Sequence, residues 1–348
     1  MARAAASRLA AWLAVVVAIA LLSGGCPRRQ EIAQQTISAR VHNVTGEAEN
    51  SAVRPELLTW AEVGRFDTGF TEARGVACAA DGRIYVAGDR AVRCFTSDGT
   101  LQWEMPLNGP AGPLAFAPDG SLLVGLRQRV EQRALDGSLV QTWTPYGERT
   151  WITSIAAGRS EVYLADAGNR TVWRFDYAAQ FLSEIGREDP ARGIPGLSVP
   201  SPHLDLALAP NDTLVLTNPG RRSVQVHSVP DGALRASWGR SSNAIDGFGG
   251  CCNPTDIALL PDGRVVTSEK GLPRVKVHSA DGALLSVVAP PADFDRLAEG
   301  IDLAVDGLGR VIVLDPARGQ VRLYEERAPA APARVPQTKS VQAEEGGT

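Results

Sequence analysis

Two groups of residues in this chain carry chemistry. The first is the string Gly247-Phe248-Gly249-Gly250-Cys251-Cys252-Asn253-Pro254-Thr255-Asp256, followed shortly by Thr267-Ser268-Glu269-Lys270-Gly271. Adjacent thiols in a Gly-rich turn admit four readings. A vicinal disulfide joining Cys251 and Cys252 is one, although neighbouring Cα atoms stand only about 3.8 Å apart across a trans peptide, below the usual disulfide range. A thiolate metal site with His203 and Glu269 as further ligands is the second. A redox-active dithiol and two small residues packed into a crowded connection are the others. The second group is a recurring Asp-apolar-Ala triplet, Asp205-Leu206-Ala207, Asp256-Ile257-Ala258 and Asp302-Leu303-Ala304. Three carboxylates brought together hold a divalent cation. The alternative is that each side chain caps a turn and bonds backbone amides.

The elements that must position these residues are repeats. An apolar strand, a turn often written Pro-Asp-Gly, a Val-rich strand, a polar turn and an alternating strand recur six times. Clear copies run Gly75-Val76-Ala77-Cys78 to Phe95, Ile155-Ala156 to Phe175, and Asp256-Ile257-Ala258 to His278. Their spacing is about 38 to 51 residues, the size of a four-stranded propeller blade. A fourth strand carrying an aromatic follows most copies, at Trp103, Trp143, Phe181 and Trp238, but not the sixth. Leu57-Leu58-Thr59-Trp60-Ala61-Glu62-Val63-Gly64 fits that missing strand and precedes copy one. The expectation is an all-β, six-bladed β-propeller over 57–327, closed by the N-terminal strand completing the last blade.

The pattern resembles the NHL repeat from about Leu57 to Glu326, and Val162-Tyr163-Leu164-Ala165-Asp166-Ala167-Gly168-Asn169-Arg170 is the nearest local match. The two strings around the cysteines also resemble a subgroup of exported bacterial NHL-repeat proteins that carry them, which marks the strings as a site. In such propellers the between-blade connections and the turns after the second strands surround the mouth of the central channel. The resemblance therefore places Cys251, Cys252, Asn253, Glu269, Lys270 and His203 on the channel face as ligand-binding candidates, with Arg74 and Arg149 as cations able to meet an anion. Asp205, Asp256 and Asp302 share one register position, matched elsewhere by Gly75, Pro113 and Ser154. NHL-like propellers serve as binding platforms, lyases and lactonase-like hydrolases, so the resemblance speaks for fold and leaves activity open. The lyases use several channel histidines around zinc, whereas here only His203 is suitably placed; the lactonase-like propellers hold a divalent cation with carboxylates and Asn, for which the three aspartates and Asn218 are a loose analogue.

Arg3 and Arg8 followed by the apolar run Leu9–Leu22 read as an export signal. It ends in Leu22-Ser23-Gly24-Gly25-Cys26, which resembles a bacterial lipoprotein cleavage box with Cys26 as the lipidated residue. A plain signal peptide and an uncleaved anchor are the other readings. Residues 1–26 are thus the signal, 27–56 a polar tether and 328–348 a disordered Ala/Pro-rich tail. The net charge of −4 excludes a broadly basic nucleic-acid surface. Cys78 and Cys94 fall on the first and third strands of one blade, about two strand spacings apart, and read as core thiols rather than a bridge. His227 and His278 take a third-strand position filled by Phe95, Phe175 and Tyr324 elsewhere, which is a packing position.

No His-Glu-x-x-His, Gly-x-Ser-x-Gly, phosphate-binding Gly loop or Cys-x-x-Cys-His occurs. The long, Pro-rich connections Glu188–Ser201 and Pro290–Gly300 mean binding on a rigid scaffold. The expectation is an exported protein, tethered to the cell or outer membrane, that binds a protein partner or small anionic ligand on its channel face. The alternatives are a metal-dependent hydrolase or lyase using the three aspartates, and a redox accessory protein using the cysteine pair.

Overall fold

The computed structural model describes residues 53–144 and 147–328. The expected signal with Cys26, the expected tether up to residue 52 and the expected tail from residue 329 lie outside the described residues.

The chain forms six four-stranded antiparallel sheets arranged as a six-bladed β-propeller. Blade formation follows from local sequence. In the Pro-Asp-Gly turns the Asp side chain accepts the amide two residues on, as Ser121 N to Asp119 Oδ1 at 2.9 Å and Arg264 N to Asp262 Oδ1 at 3.1 Å. The glycines between, Gly120 and Gly263, have φ of 84° and 86°, a conformation that a side chain disfavours. The innermost strands are Ala73–Cys78, Leu114–Phe116, Ile152–Ala157, Leu206–Ala209, Asp256–Leu259 and Asp302–Val305.

The last blade takes its outermost strand from the other end of the chain. Trp60–Asp67 pairs antiparallel with Gln320–Glu326, with Trp60 opposite Glu326 and Asp67 opposite Gln320. This closure leaves the ring without an open seam between first and last blades. Apolar side chains fill each space between neighbouring blades, so the core is a ring of clusters around a channel. The cluster between blades four and five is small, with Val215, Val224, Phe248, Ile257 and Val265 as its buried members. A buried ionic network beside it fastens the connection between those two blades.

Candidate functional site

The channel mouth opens into a cavity of about 230 Å³ lined from all six blades, including Arg74, Pro113, Trp151, His203, Asp256 and Glu299. A smaller, polar cavity of about 80 Å³ carries Ser154, Asp205 and Asp302. One carboxylate oxygen from each of Asp205, Asp256 and Asp302 lies within 4.8 Å of the others. The repeat register thus brings three separate blades' carboxylates to one point.

The three are not equivalent. Asp205 Oδ2 accepts the Ile257 amide at 2.6 Å, and Asp302 Oδ2 accepts the Val76 amide at 2.6 Å. Each is therefore a staple to the inner strand of the next blade, which is the amide-bonding role that the alternative reading gave them. Asp256 takes hydroxyl donors instead of an amide, Ser268 Oγ at 3.0 Å and the Thr255 side chain, and it is the acid that faces the mouth cavity. Burial pushes Asp205 up to about 6 and Asp302 up to about 8. Asp256 is driven well above the ordinary carboxylate range by burial first, then by the charges of Asp205 and Asp302. Among the described residues, no lysine or arginine forms an ion pair with any of the three; Arg74, at the same mouth, pairs with Glu72. At neutral pH the cluster holds a proton or takes a cation.

His203 shares the mouth with Asp256. Burial, with a smaller push from Lys270, lowers its pKa to about 4, so the imidazole is neutral at pH 7. Lys270 itself reaches Ser201 Oγ at 3.3 Å. The other two histidines among the described residues sit within blades. His227 contacts Gly232 O at 3.1 Å and Gln225 Oε1 at 3.2 Å. His278 packs on Trp238 and Phe248, with ring centroids 5.1 and 5.7 Å away.

The two chemically pointed strings interlock. Asn253 donates to Gly249 O at 2.7 Å and Lys270 O at 2.9 Å, and accepts the Lys270 amide at 2.9 Å. The cysteines are free thiols with Sγ atoms 2.9 Å apart, so the pair is not disulfide-bonded in this structure. Cys251 is exposed and Cys252 buried.

Glu269 does not reach the mouth. Its side chain is fully buried, bonded to Arg274 at 2.6 Å and Lys276 at 2.7 Å, and accepts the Gly249 amide at 3.0 Å. Arg274 and Lys276 in turn both donate to Gly247 O. As a ligand-binding candidate, or as a metal ligand with the cysteines, Glu269 is corrected to an anchor for the Gly247–Gly249 loop. The register gives the reason. Asp166 and Asn218 close the second strands of blades three and four as Glu269 does in blade five, and they accept the amides of Trp151 and Ser198 from the incoming connections. Asn218 is accordingly also tied up, donating to Gly196 O at 3.1 Å.

Arg149 is exposed and does not line the mouth cavity, whereas Arg74 does, paired with Glu72. Cys78 and Cys94 are separate thiols, and burial pushes Cys78 up to about 11. Sequence reasoning missed Ser268, Trp151 and Glu299. Ser268 was within reach of it, because it faces Asp256 across the inner strand pair. Trp151 carries the Arg127 guanidinium 4.2 Å from its ring centroid at the mouth, and nothing in the repeat pattern signals that pairing.

Fold and site together define a channel-mouth propeller with an acidic floor. No protein-family model and no curated protein matches the chain. Among solved structures it is similar to a gluconolactonase from Xanthomonas campestris, with a TM-score of 0.58 at 17% identity over 78% of this chain and 93% of that one. It is also similar to virginiamycin B lyase from Staphylococcus aureus, with a TM-score of 0.52 at 12% identity over 76% of this chain and 99% of that one. At these identities the likeness establishes the propeller fold alone.

Proposed function

We propose that this chain is an exported, membrane-tethered propeller of the NHL-like kind that binds a ligand or protein partner at its channel mouth, with a cation held among Asp205, Asp256 and Asp302. The observation that carries the reading is the buried carboxylate trio beneath a cavity lined from every blade. Uncompensated buried charge is unfavourable, and a bound cation relieves it. The donor set is hard oxygen, and oxygens on opposite sides of a calcium-sized ion stand about 4.8 Å apart at ligand distances of about 2.4 Å. Calcium titration followed by calorimetry and thermal shift tests this. The expected result is saturable binding and a raised Tm, both lost in Asp256→Asn, which removes charge without removing an inter-blade amide bond. Absence of any shift with calcium, magnesium, manganese or zinc ends the cation reading. Release of the protein from the membrane fraction by Cys26→Ser tests the tether.

A metal-dependent hydrolase of lactonase-like type is the second reading, favoured by the same donor set lying against an open cavity. The bound ion would supply Lewis acidity toward a substrate oxygen. Asp205 and Asp302 would hold it from below and Asp256 from the mouth side, while neutral His203 and Arg74 would orient the substrate. Lactone turnover stimulated by added metal separates this reading from simple binding. A lyase using several channel histidines is disfavoured, since His203 is the one histidine at the mouth among the described residues.

A further inference from the structure

The Cys251–Cys252 pair lies outside the acid cluster, and none of the chemistry above uses it. Its sulfurs lie 2.9 Å apart, in hydrogen-bonding contact with each other. The turn carrying them is fastened on both sides. Arg222 Nε donates to Gly250 O at 2.7 Å, and Asn253 is bonded to Gly249 and Lys270. The backbone therefore aims the two thiols at each other. Cys251 is open to solvent while Cys252 is 5% exposed, so one sulfur is reachable directly and the other mainly through it. Among the described residues, the acid trio is the sole cluster of three or more His, Cys, Asp or Glu donors. No third such donor joins the thiols, so the pair has no closed protein shell for a metal.

We propose that Cys251 and Cys252 form a reversible thiol–disulfide pair, with Cys251 the attacking thiol and Cys252 the resolving one. The Cys251 thiolate attacks one sulfur of a small or protein disulfide, RSSR, forming a mixed disulfide and expelling RS⁻. The Cys252 thiolate then attacks Cys251 Sγ, forming the vicinal bond and expelling the second RS⁻. The protein loses two electrons and two protons, and RSSR becomes two RSH. The ring spans neighbouring Cα atoms about 3.8 Å apart, below the usual disulfide span of about 4.4–6.8 Å, so the bond is strained and readily reduced. That suits a labile switch rather than a structural staple. The Cys252 sulfur, by hydrogen bond and charge, holds the Cys251 thiol above its ordinary range, with Lys270 opposing. Exchange therefore accelerates with rising pH as thiolate forms.

The test equilibrates the full chain in glutathione buffers of varied redox ratio, traps it with maleimide and maps its peptides by mass spectrometry. The peptide holding both cysteines passes from doubly alkylated to internally bonded at one midpoint, and dithiothreitol reverses it. Cys252→Ser halts at a glutathione adduct on Cys251, and Cys251→Ser reacts at least about tenfold more slowly. Buried Cys94, alkylated only after denaturation, confirms that each variant is folded. A peptide that stays doubly alkylated at every ratio, or carries glutathione on both sulfurs, overturns the proposal. Equal reactivity of the two serine variants overturns the assignment of attacker and resolver.

Discussion

The Ile257 amide donates to Asp205 Oδ2 at 2.6 Å, joining blade five to blade four at the channel wall. The relation recurs from Val76 to Asp302 at 2.6 Å, and more weakly from Leu206 to Ser154 Oγ at 3.4 Å. It breaks at Asp256. The next amide in the series, that of Leu303, donates instead to its neighbour Asp302 Oδ1 at 2.9 Å. Asp256 is left without a backbone staple, turned toward the mouth. Two of the three acids thus hold the ring together, and the third is the one released for a ligand.

This arrangement fixes a pH dependence. Asp302 is raised to about 8 and Asp256 well above its ordinary range, so the folded state binds more protons than the unfolded chain up to about pH 8. Stability from such groups is fully present below the unfolded carboxylate range and is lost as pH rises through the folded values. His203 and His278, lowered to about 4 and about 3, act oppositely but only below about pH 6.5. Lys276, lowered to about 8, acts oppositely only above that value. Between pH 6.5 and 8 the acids stand alone. In chelator, denaturant unfolding should show stability falling by about 2–4 kcal/mol across that window, at about 1.4 kcal/mol per pH unit for each extra proton held. Calcium should restore it, and Asp302→Asn should lessen it without abolishing it, because burial keeps Asp256 raised. A stability that rises across the window would refute the buried-acid account.

Glu269 supports two buried cations at once, and removing it strands both. Glu269→Ala should destabilise by about 3–5 kcal/mol, because an unpaired buried charge costs more than the pair contributes. Joint replacement with Lys276→Met should recover part of the loss, read as a positive coupling in a double-mutant cycle of unfolding free energies. Additive losses would mean the network does not act as a unit.

His203 should stay uncharged from pH 5 to 8. Its imidazole NMR shifts should be flat over that range and move only near pH 4. Lys270→Met should raise the midpoint modestly, since burial is the larger cause and the lysine the smaller. A midpoint near 6.5 in the parent protein would mean that the mouth is wetter than its packing indicates.

The blades were legible in the sequence because strand, Pro-Asp-Gly turn and alternating strand recur with fixed local chemistry. Ring closure was legible because one copy lacked a fourth strand and a spare one preceded the first. The convergence of Asp205, Asp256 and Asp302 followed from register alone. Glu269 misled because its string reads as polar and pointed, and its burial depends on Arg274 and Lys276 turning inward from the third strand. Placement on the channel face says nothing about which way a side chain turns. The contrast between stapled Asp205 and unstapled Asp256 depends on individual amide directions, which no spacing encodes.

Trp60 is the residue on which ring closure is most exposed to test. Its side chain is 4% exposed and packs in the cluster between blades five and six. Its Nε1 donates to Ser286 Oγ on blade five at 3.0 Å, so one side chain joins the closing strand to a neighbouring blade as well as to its own. Trp60→Ala removes a large aromatic from that core and should cost about 3–5 kcal/mol. Trp60→Phe keeps most of the apolar contact but leaves Ser286, 3% exposed, without its donor, and should cost about 1–2 kcal/mol. The pairing of Trp60–Asp67 with Gln320–Glu326 predicts a further effect in native-state hydrogen exchange. Trp60→Ala should raise exchange at amides of both strands together, while amides of the blade-three strands Glu161–Asp166 and Thr171–Asp176 respond less. Uniform loss of protection across all six blades would mean that the ring opens as one cooperative unit instead of parting at its closure.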